Sequence, residues 1–352
     1  MSQQSFEKEL YQNINQYFES NQISRYANKK MLVKVILACV FWVTSIILLF
    51  LLGGYGKLVF FLLYVFHCFS QLFILLNIAH DANHGAIFKN KILKKIMPYS
   101  FDLCGVNSYM WRQLHHAQHH NCMNIDGEDE TLVARKLFRF SKKTNPRFIH
   151  QFQHFYFLLF YGLFTADWVF FKDFECFFFP HTQYLRQKNH PPVAYHSLFI
   201  GKSLYIGYMI ILPIIIFNYS FWLMLFTFII SHFLIGIIGG TVIQITHPLS
   251  EADFPESKKE YQDFARFVFA TTADYSINSK IADWFFGGLH LHVAHHLCPN
   301  VCHVHYKELT KIIAETSARY RVKYRVNRTM FDAVKDHYMH LKSLSTSSYA
   351  TN

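Results

Sequence analysis

The stretches that decide the fold are HDANH at residues 80–84, HHAQHH at 115–120 and HVAHH at 292–296, which we call boxes one, two and three. Histidines at i and i+4, or at i, i+3 and i+4, lie on one face of an α-helix. The one-faced sets are His80 and His84 in box one, His116, His119 and His120 in box two, and His292, His295 and His296 in box three. One such pair is common without a metal, but three such sets together predict metal binding.

The number of histidines indicates more than one ion. A structural zinc site closes at four ligands, so eight imidazoles are too many for a single metal. Neutral imidazole binds zinc, copper, iron and nickel alike, and zinc has no redox chemistry. We therefore expect two neighbouring metal ions, and iron if the reaction is oxidative. His247, at the end of the last apolar run, is a further candidate by position.

Long apolar runs surround the boxes. Hydrophobic residues make up 52% of the chain and charged residues 16%, against a usual charged share of about 25%. A membrane span needs about 20 apolar residues. The runs predict four spans, at about 35–52, 58–78, 200–217 and 221–245. A fifth run at 152–171 carries His154, Thr165 and Asp167 and is less apolar.

Basic residues predict which loops face the cytoplasm. They cluster before the first run and after the second, whereas the turns near residues 53–57 and 218–220 carry almost none. The N-terminus, box two and the C-terminal third are thus predicted to be cytoplasmic. Four crossings meet this requirement, and a fifth would put box three on the opposite face from box two. We therefore interpret 152–171 as an interfacial or re-entrant helix.

The rest of the composition argues against several classes of protein. The net charge of +11 is spread over the polar stretches that flank apolar runs, which favours loops facing an anionic leaflet over nucleic-acid binding. Seven scattered cysteines without a CxxC pair indicate neither a disulfide framework nor a thiolate zinc site. A zinc protease would carry HExxH, which the sequence lacks. Residues 1–30 are polar, so we expect a cytosolic arm rather than a signal peptide.

The order HxxxH, HxxHH, [HQ]xxHH resembles the membrane fatty acid desaturase family. The likeness covers nearly the whole chain and is greater to the front-end, linoleoyl-CoA desaturase-like branch. The matching stretches are SYMWR at 108–112, NIDGED at 124–129, QITH at 244–247, GGL at 287–289, HHLCPN at 295–300 and CHVHY at 302–306.

The resemblance implies a fold and a chemistry. We expect an all-α integral membrane protein, with four transmembrane helices, an interfacial helix and a cytosolic helical cap that holds a di-metal centre. The expected domains are the arm at 1–30, a desaturase domain at 31–305 and a cytosolic amphipathic region with a tail at 306–352. The reaction would use two Fe ions and O2 to introduce a cis double bond into an acyl-CoA or acyl-lipid substrate held in a hydrophobic tunnel.

The family pattern also implies the ligands and the partners. The implied iron ligands are His80, His84, His116, His119, His120, His247, His292, His295 and His296. Because the chain has no His-Pro-Gly-Gly motif of a fused cytochrome b5 domain, we expect a separate donor such as ferredoxin, or cytochrome b5 with its reductase. Metal-bound histidines need partners that orient them, and the candidate carboxylates are Asp81, Asp102, Asp126, Asp129 and Asp283.

The chain departs from the front-end pattern at several positions. His292 stands where Gln is usual, His290 where Asn is usual, and Ala294 where an acidic residue is usual. The residues after box two are Asn121-Cys122-Met123 instead of a Thr-Tyr-Thr pattern. These differences leave chain length, regioselectivity and the acyl carrier open. A lipid hydroxylase or oxygenase on the same scaffold, or a non-catalytic descendant, are the alternative hypotheses.

Overall fold

The computed structural model describes residues 5–129, 132 and 137–346. The end of the predicted C-terminal tail lies outside these residues. The N-terminal half contains helices α1 Phe6–Ser20, α2 Lys29–Leu52, α3 Lys57–Ile74, α4 His80–Asn83, α5 Lys91–Ile96, α6 Ser108–Trp111, α7 His120–Cys122, α8 Gln153–Asp167 and α9 Asp173–Phe178. Wider π-helical turns join several of them, at Leu75–Ala79, Arg112–His119 and Trp168–Lys172.

The C-terminal half is also mostly helical. Its helices are α10 Gln183–Arg186, α11 Pro192–Ile206, α12 Leu212–Phe217, α13 Phe221–Gln244, α14 Phe264–Thr271, α15 Lys280–Phe285, α16 His292–Leu297, α17 Tyr306–Arg319 and α18 Met330–Thr346, with a π-turn at Gly207–Ile211. Two-residue strands β1 Asp274–Tyr275 and β2 Val326–Asn327 pair in parallel, with Asp274 opposite Val326. This short pair is the one departure, among the described residues, from the expected all-helical fold.

Among the described residues, five helices are long and apolar enough to cross a membrane, so the chain is a membrane protein. They are Lys29–Tyr55, Lys57–Asn83, Phe148–Phe178, Pro192–Phe217 and Phe221–Gln244. Their outward faces carry large apolar side chains, such as Leu58 at 70% exposure and Trp222 at 74%. Surfaces of this kind suit contact with lipid rather than water. The sequence predicted four of these helices as spans, and the structure adds Phe148–Phe178 as a fifth of sufficient length.

The turns between the apolar helices meet at the end far from the boxes. The Tyr219 hydroxyl, in the turn after α12, donates to the carbonyl of Gly53, at the end of α2, over 2.8 Å. The rings of Phe60 and Phe217 lie 5.7 Å apart at the same end. The turns after α2 and after α12 therefore share one side of the molecule. Box one lies just beyond the other end of α3, and His247 lies just beyond the other end of α13. We call this end of the helices the histidine side.

Helix Phe148–Phe178 runs antiparallel to α13 at very close range. A Cβ atom on Gly236 would lie 2.2 Å from the carbonyl oxygen of Gly162, so only glycine fits this crossing. Near one end the Gln153 amide donates to the carbonyl of Leu341 in α18 over 2.9 Å. At the other end Asp173 accepts from the backbone N–H of Asn107, in the segment that leads into box two. Both ends thus contact segments that adjoin the histidine side.

The N-terminal helix covers the back of box three. The buried side chains of α1 are Phe6, Leu10, Ile14 and Phe18, spaced by four residues, and they share one core with α14, α16 and α17. The Tyr11 hydroxyl also donates to the carbonyl of Leu297, at the end of α16. The predicted polar arm is therefore an amphipathic helix whose apolar face is buried against the helix that carries box three.

We predict that Gly236→Ala destabilises the protein by about 1–3 kcal/mol, because the added methyl group clashes with the backbone of Gly162. The measurement is thermal unfolding of purified protein in detergent. Gly207→Ala is the matched control, since a Cβ there meets nothing within 4 Å. Equal melting temperatures for the two variants would show that the α8–α13 contact does not limit packing.

Candidate metal centre

The boxes converge on two groups of four imidazoles. The first group is His80, His84, His115 and His295, and the second is His119, His247, His292 and His296. Within each group the candidate ligand nitrogens all lie within 4.8 Å of one another. Seven of the eight side chains are buried, and His115 is partly buried. Each group therefore combines residues far apart in sequence around one small volume.

The nitrogen spacing within the groups is that of metal ligands. His115 Nε2 lies 3.3 Å from both His80 Nε2 and His295 Nε2. In the second group, His247 Nε2 lies 3.2 Å from His119 Nε2 and 3.1 Å from His296 Nε2. Imidazole nitrogens about 2.0–2.1 Å from a zinc-sized ion in tetrahedral geometry would be about 3.3 Å apart.

His120 lies between the groups. Its Nε2 is 3.2 Å from His115 Nε2, and its ring centroid is 4.6 Å from that of His295 and 4.4 Å from that of His296. The predicted ligand His116 is placed differently, with an exposed side chain and its ring centroid 4.9 Å from that of His84. The structure thus brings eight of the nine predicted ligands into the cluster, and His115 joins them at the position predicted for His116.

Several buried imidazole nitrogens lack a hydrogen-bond partner among the described residues. They are both ring nitrogens of His84, Nδ1 of His120, Nε2 of His292 and Nδ1 of His296. A buried polar atom left unpaired costs folding free energy, and a bound metal ion would provide the missing partner. The donor set is entirely imidazole, which suits iron among other transition metals. The residues present therefore fit a pair of such ions.

Electrostatics keep these imidazoles neutral. Burial, followed by repulsion from the neighbouring histidines, holds the pKa of His120, His295 and His296 well below its usual range. The neutral form has the free lone pair that a metal requires, so these three rings need no deprotonation before they bind an ion at neutral pH.

Local backbone geometry sets each box in place. A π-turn at Leu75–Ala79 precedes box one at the end of α3, and a longer one, Arg112–His119, covers most of box two. Box three forms the short helix α16, whose second residue Val293 donates its N–H to the buried Asp274 carboxylate over 2.7 Å. His247 follows directly on the end of α13.

Two of the five predicted carboxylates contact histidines of the cluster. Both oxygens of Asp129 lie 3.1 Å from His119 Nδ1, and Asp129 also accepts from the backbone N–H of Asn124. Asp81 lies 3.4 Å from His80 Nδ1 and accepts both the backbone N–H and the ring N–H of His303. These contacts can fix the ring orientation of His119 and His80.

The other three carboxylates have different contacts. Asp102 accepts from the Asn107 amide and the Ser108 N–H, at the start of α6. Asp126 is exposed and accepts from the Thr144 hydroxyl. Asp283 contacts His290 and Lys307. None of these contacts is with a predicted ligand, so the three carboxylates are not placed to orient the cluster.

Sequence reasoning missed three partners of the cluster. His247 Nδ1 lies 3.1 Å from the carbonyl of Thr271, and His292 Nδ1 lies 3.0 Å from the carbonyl of Leu289. Backbone carbonyls carry no sequence signal. The third partner, the Tyr306 hydroxyl, is 3.3 Å from His295 Nδ1 and belongs to the CHVHY stretch that the sequence analysis had singled out.

Two apolar cavities lie among the helices on this side of the molecule, and the narrow one adjoins the cluster. A narrow one of about 80 Å³ touches His80, His115 and His292 and continues to Leu72 and Thr165 among the membrane helices. A larger one of about 620 Å³ lies between α2, the end of α3 and α11, with Leu204 among its lining residues. The segment Phe101–Leu103 separates them, because Phe101 lines the narrow cavity and Leu103 the larger one.

Comparison with known proteins agrees with this geometry. The family model for fatty acid desaturases matches residues 55–328. The chain belongs to the fatty acid desaturase family. It is an oxidoreductase that acts on fatty acyl lipids, as the sequence analysis predicted.

The relatives cover most of the chain. An acyl-lipid (8-3)-desaturase from Physcomitrium patens is 31% identical over 96% of this chain and 71% of the relative. Two relatives named sn-1 linoleoyl-lipid 6-desaturase, from Arthrospira platensis and a Synechocystis strain, are 29% and 28% identical over 97% of this chain. The match covers 92% and 96% of those two proteins.

We predict that Asp129→Asn weakens metal binding by about 10–100-fold, because His119 loses the charged acceptor that orients its ring. Iron per protein is measured by mass spectrometry after dialysis against a weak chelator. Asp126→Asn, in the same NIDGED stretch but at the surface, is the control and should keep its metal. Equal iron content in both variants would rule out an orienting role for Asp129.

Proposed function

We propose that this desaturase introduces a cis double bond into an acyl chain, with two Fe ions and O2 as the oxidising system. The observation that carries the proposal is the pair of buried all-imidazole groups beside an apolar cavity. When bound, an iron pair supplies the redox chemistry that activates O2, which no side chain can supply. The protein positions the metal, orients the acyl chain and keeps water away.

The proposed ligands are the eight predicted histidines that converge, together with one histidine from positions 115 and 116 of box two. The eight are His80, His84, His119, His120, His247, His292, His295 and His296. The unpaired ring nitrogens of His84, His120, His292 and His296 support this assignment. Asp129 and Asp81 are the proposed orienting carboxylates, supported by their contacts with His119 and His80.

The narrow cavity is the proposed site of the reacting methylene groups. Its wall combines apolar side chains, such as Leu76 and Leu289, with the histidines of both groups. An acyl chain there would lie beside His80 and His292 with little access for water. A water-poor site protects a reactive intermediate from side reactions. The larger cavity offers the additional volume that a long chain requires.

An acyl-lipid is the proposed carrier of the chain. The relatives named above are acyl-lipid or linoleoyl-lipid desaturases. The larger cavity lies between membrane-length helices and is lined mainly by apolar side chains. Next to its lining residue Ile96 stand Lys91, Lys94 and Lys95, which would attract an anionic headgroup. Acyl-CoA is the competing carrier.

We propose four membrane crossings, with both termini and the metal centre on the cytoplasmic side, and domains at 1–30, 31–305 and 306–352. Helix Phe148–Phe178 would then be tilted or re-entrant. Its contacts with α18 near one end and with the segment before box two at the other support this, since both adjoin the histidine side. The clustered lysines near boxes one and two support cytoplasmic placement.

A separate electron donor completes the proposed system. Reducing O2 while two hydrogens leave the acyl chain requires two further electrons, and imidazole ligands do not store them. Ferredoxin, or cytochrome b5 with its reductase, would fit this role. Such a donor must approach on the histidine side, where the metal centre lies nearest the surface.

The function is tested by expressing the chain in a desaturase-deficient host and analysing fatty-acid methyl esters by mass spectrometry. We expect new unsaturated species, which His119→Ala should abolish because it removes a buried metal ligand. His181→Ala is the control, since His181 is an exposed histidine paired with Glu175. Immunoblots of the membrane fraction show equal protein. Hydroxylated products in place of unsaturated ones would contradict desaturation.

A bulky side chain in the larger cavity tests the carrier. We predict that Leu204→Trp lowers conversion of glycerolipid-bound chains several-fold without loss of iron, because indole fills the space that we assign to the lipid. Leu212→Trp is the matched control, exposed on the same apolar helix but outside the cavity. Measurements use labelled phospholipid and labelled acyl-CoA in parallel. If only acyl-CoA is converted, the acyl-lipid assignment is wrong.

A further inference from the structure

We propose that Lys34 is a positioning residue of the metal centre, which acts through His303 and Asp81 to fix the nitrogen that His80 offers to a metal ion. The inference rests on the proposed di-iron function and adds to it a residue of α2, the first apolar helix. Three hydrogen-bond links join the ammonium group of Lys34 to the ring of His80, and each link determines where the next proton lies.

Lys34 is buried on the inner face of a membrane-length helix. Its side chain is 3% exposed, whereas Lys29 and Lys30, earlier in the same helix, are exposed. Its neighbours on this face, Met31 and Ala38, share one apolar core with part of box one. A buried charge is costly unless it is paired, and an ionisable side chain inside a membrane span is rare and usually functional. The partners of Lys34 therefore indicate its role.

The ammonium group of Lys34 has three partners. Its Nζ lies 3.1 Å from His303 Nε2 and 3.3 Å from the carbonyl oxygen of Asp283, and it faces the ring of Trp284 at 5.3 Å from the centroid. An ammonium group can only donate, so His303 Nε2 must accept. A neutral imidazole whose Nε2 accepts carries its proton on Nδ1. Lys34 thereby selects the tautomer of His303.

The proton on His303 Nδ1 is directed at Asp81. His303 Nδ1 lies 2.8 Å from Asp81 Oδ2, and the backbone N–H of His303 donates to the same oxygen over 2.9 Å. Burial holds the pKa of His303 below its usual range, against the opposing effect of Asp81, so that the ring stays neutral. One neutral ring therefore bridges the buried positive charge of Lys34 and the buried negative charge of Asp81.

Asp81 in turn orients His80. The second carboxylate oxygen, Oδ1, lies 3.4 Å from His80 Nδ1 and accepts the proton on that nitrogen. The free lone pair of His80 is then on Nε2, the atom that lies 3.3 Å from His115 Nε2 in the first histidine group. A carboxylate that accepts from a ligating histidine fixes the orientation of the ring and raises its basicity.

Without Lys34 the same side chains could adopt another arrangement. His303 would be free to carry its proton on Nε2, and its Nδ1 would then face Asp81 with a lone pair. Two acceptors in contact repel each other, so Asp81 would turn away from His303, and His80 would lose a fixed charged acceptor. Lys34 therefore affects a predicted metal ligand through two intervening side chains.

Substitutions at Lys34 in the full-length protein test the proposal. Wild type, Lys34→Met, Lys34→Arg and Lys30→Met are purified in detergent and dialysed against a weak chelator, and iron per chain and the Mössbauer spectrum are measured. Lys34→Met should bind the iron of one site about 10–100-fold more weakly. Lys34→Arg keeps a donating cation and should retain both sites, as should Lys30→Met, the exposed control. Wild-type iron retention by Lys34→Met overturns the proposal, as does equal loss from both sites.

A double variant keeps the test decisive if Lys34→Met alone does not fold. Lys34→Met combined with Asp81→Asn removes both buried charges, so neither is left unpaired. If Lys34 acts through Asp81, the double variant retains as much iron as Asp81→Asn alone. A further loss of iron from the folded double variant overturns the proposal. A wild-type protein that binds no iron would instead refute the proposed di-iron function, which wild type alone reveals before any variant is compared.

Discussion

The structure depends on one constraint: imidazoles from three distant boxes must converge on two small volumes in the interior of the protein. Unpaired buried nitrogens such as those of His84 and His292 cost free energy in the absence of a metal. A metal ion bound by the same nitrogens would relieve this cost, and its binding free energy would stabilise the fold. Packing in the rest of the molecule fixes where the helices that carry these rings end, and how each helix is rotated about its axis.

The helices are positioned by backbone features that are hard to recognise from the sequence. The glycine contact between α8 and α13 brings two helices closer than side chains allow, and His247 follows the end of α13. The π-turns before box one and across box two rotate the helix faces so that the histidines point toward one another. Such turns are less favourable than α-helix and are frequent at functional sites. In this protein each π-turn sets the direction of the histidine side chains in or directly after it.

The sequence was most informative where a residue type with a known chemical role recurs at the spacing of a helix. The boxes, the apolar runs and seven of the converging histidines follow from composition and spacing, because metal ligands and membrane helices leave residue-level signatures. The eighth, His247, is a candidate by position, and the family resemblance implies it as a ligand. The inward ring of His115 could not be found this way, since the α-helical period gives His116. The contacts of His247 and His292 with backbone carbonyls leave no signature either. Among the carboxylates, only three-dimensional contacts distinguish Asp129 from Asp126, three residues earlier.

The two faces of the histidine cluster are held by different kinds of packing. Toward the membrane helices, the ligands adjoin an apolar cavity whose walls are held by helix contacts within a lipid-facing bundle. On the opposite face, box three packs into a core shared with α1, α14 and α17, of the kind found in soluble domains. Burial of Phe6 and Leu10 against this core removes apolar surface from water and is therefore favourable. The same burial would contribute little if these side chains were otherwise in contact with lipid, which is itself apolar. Helix α1 therefore contributes to the metal centre without touching a ligand, because it fixes the helix that presents three of them.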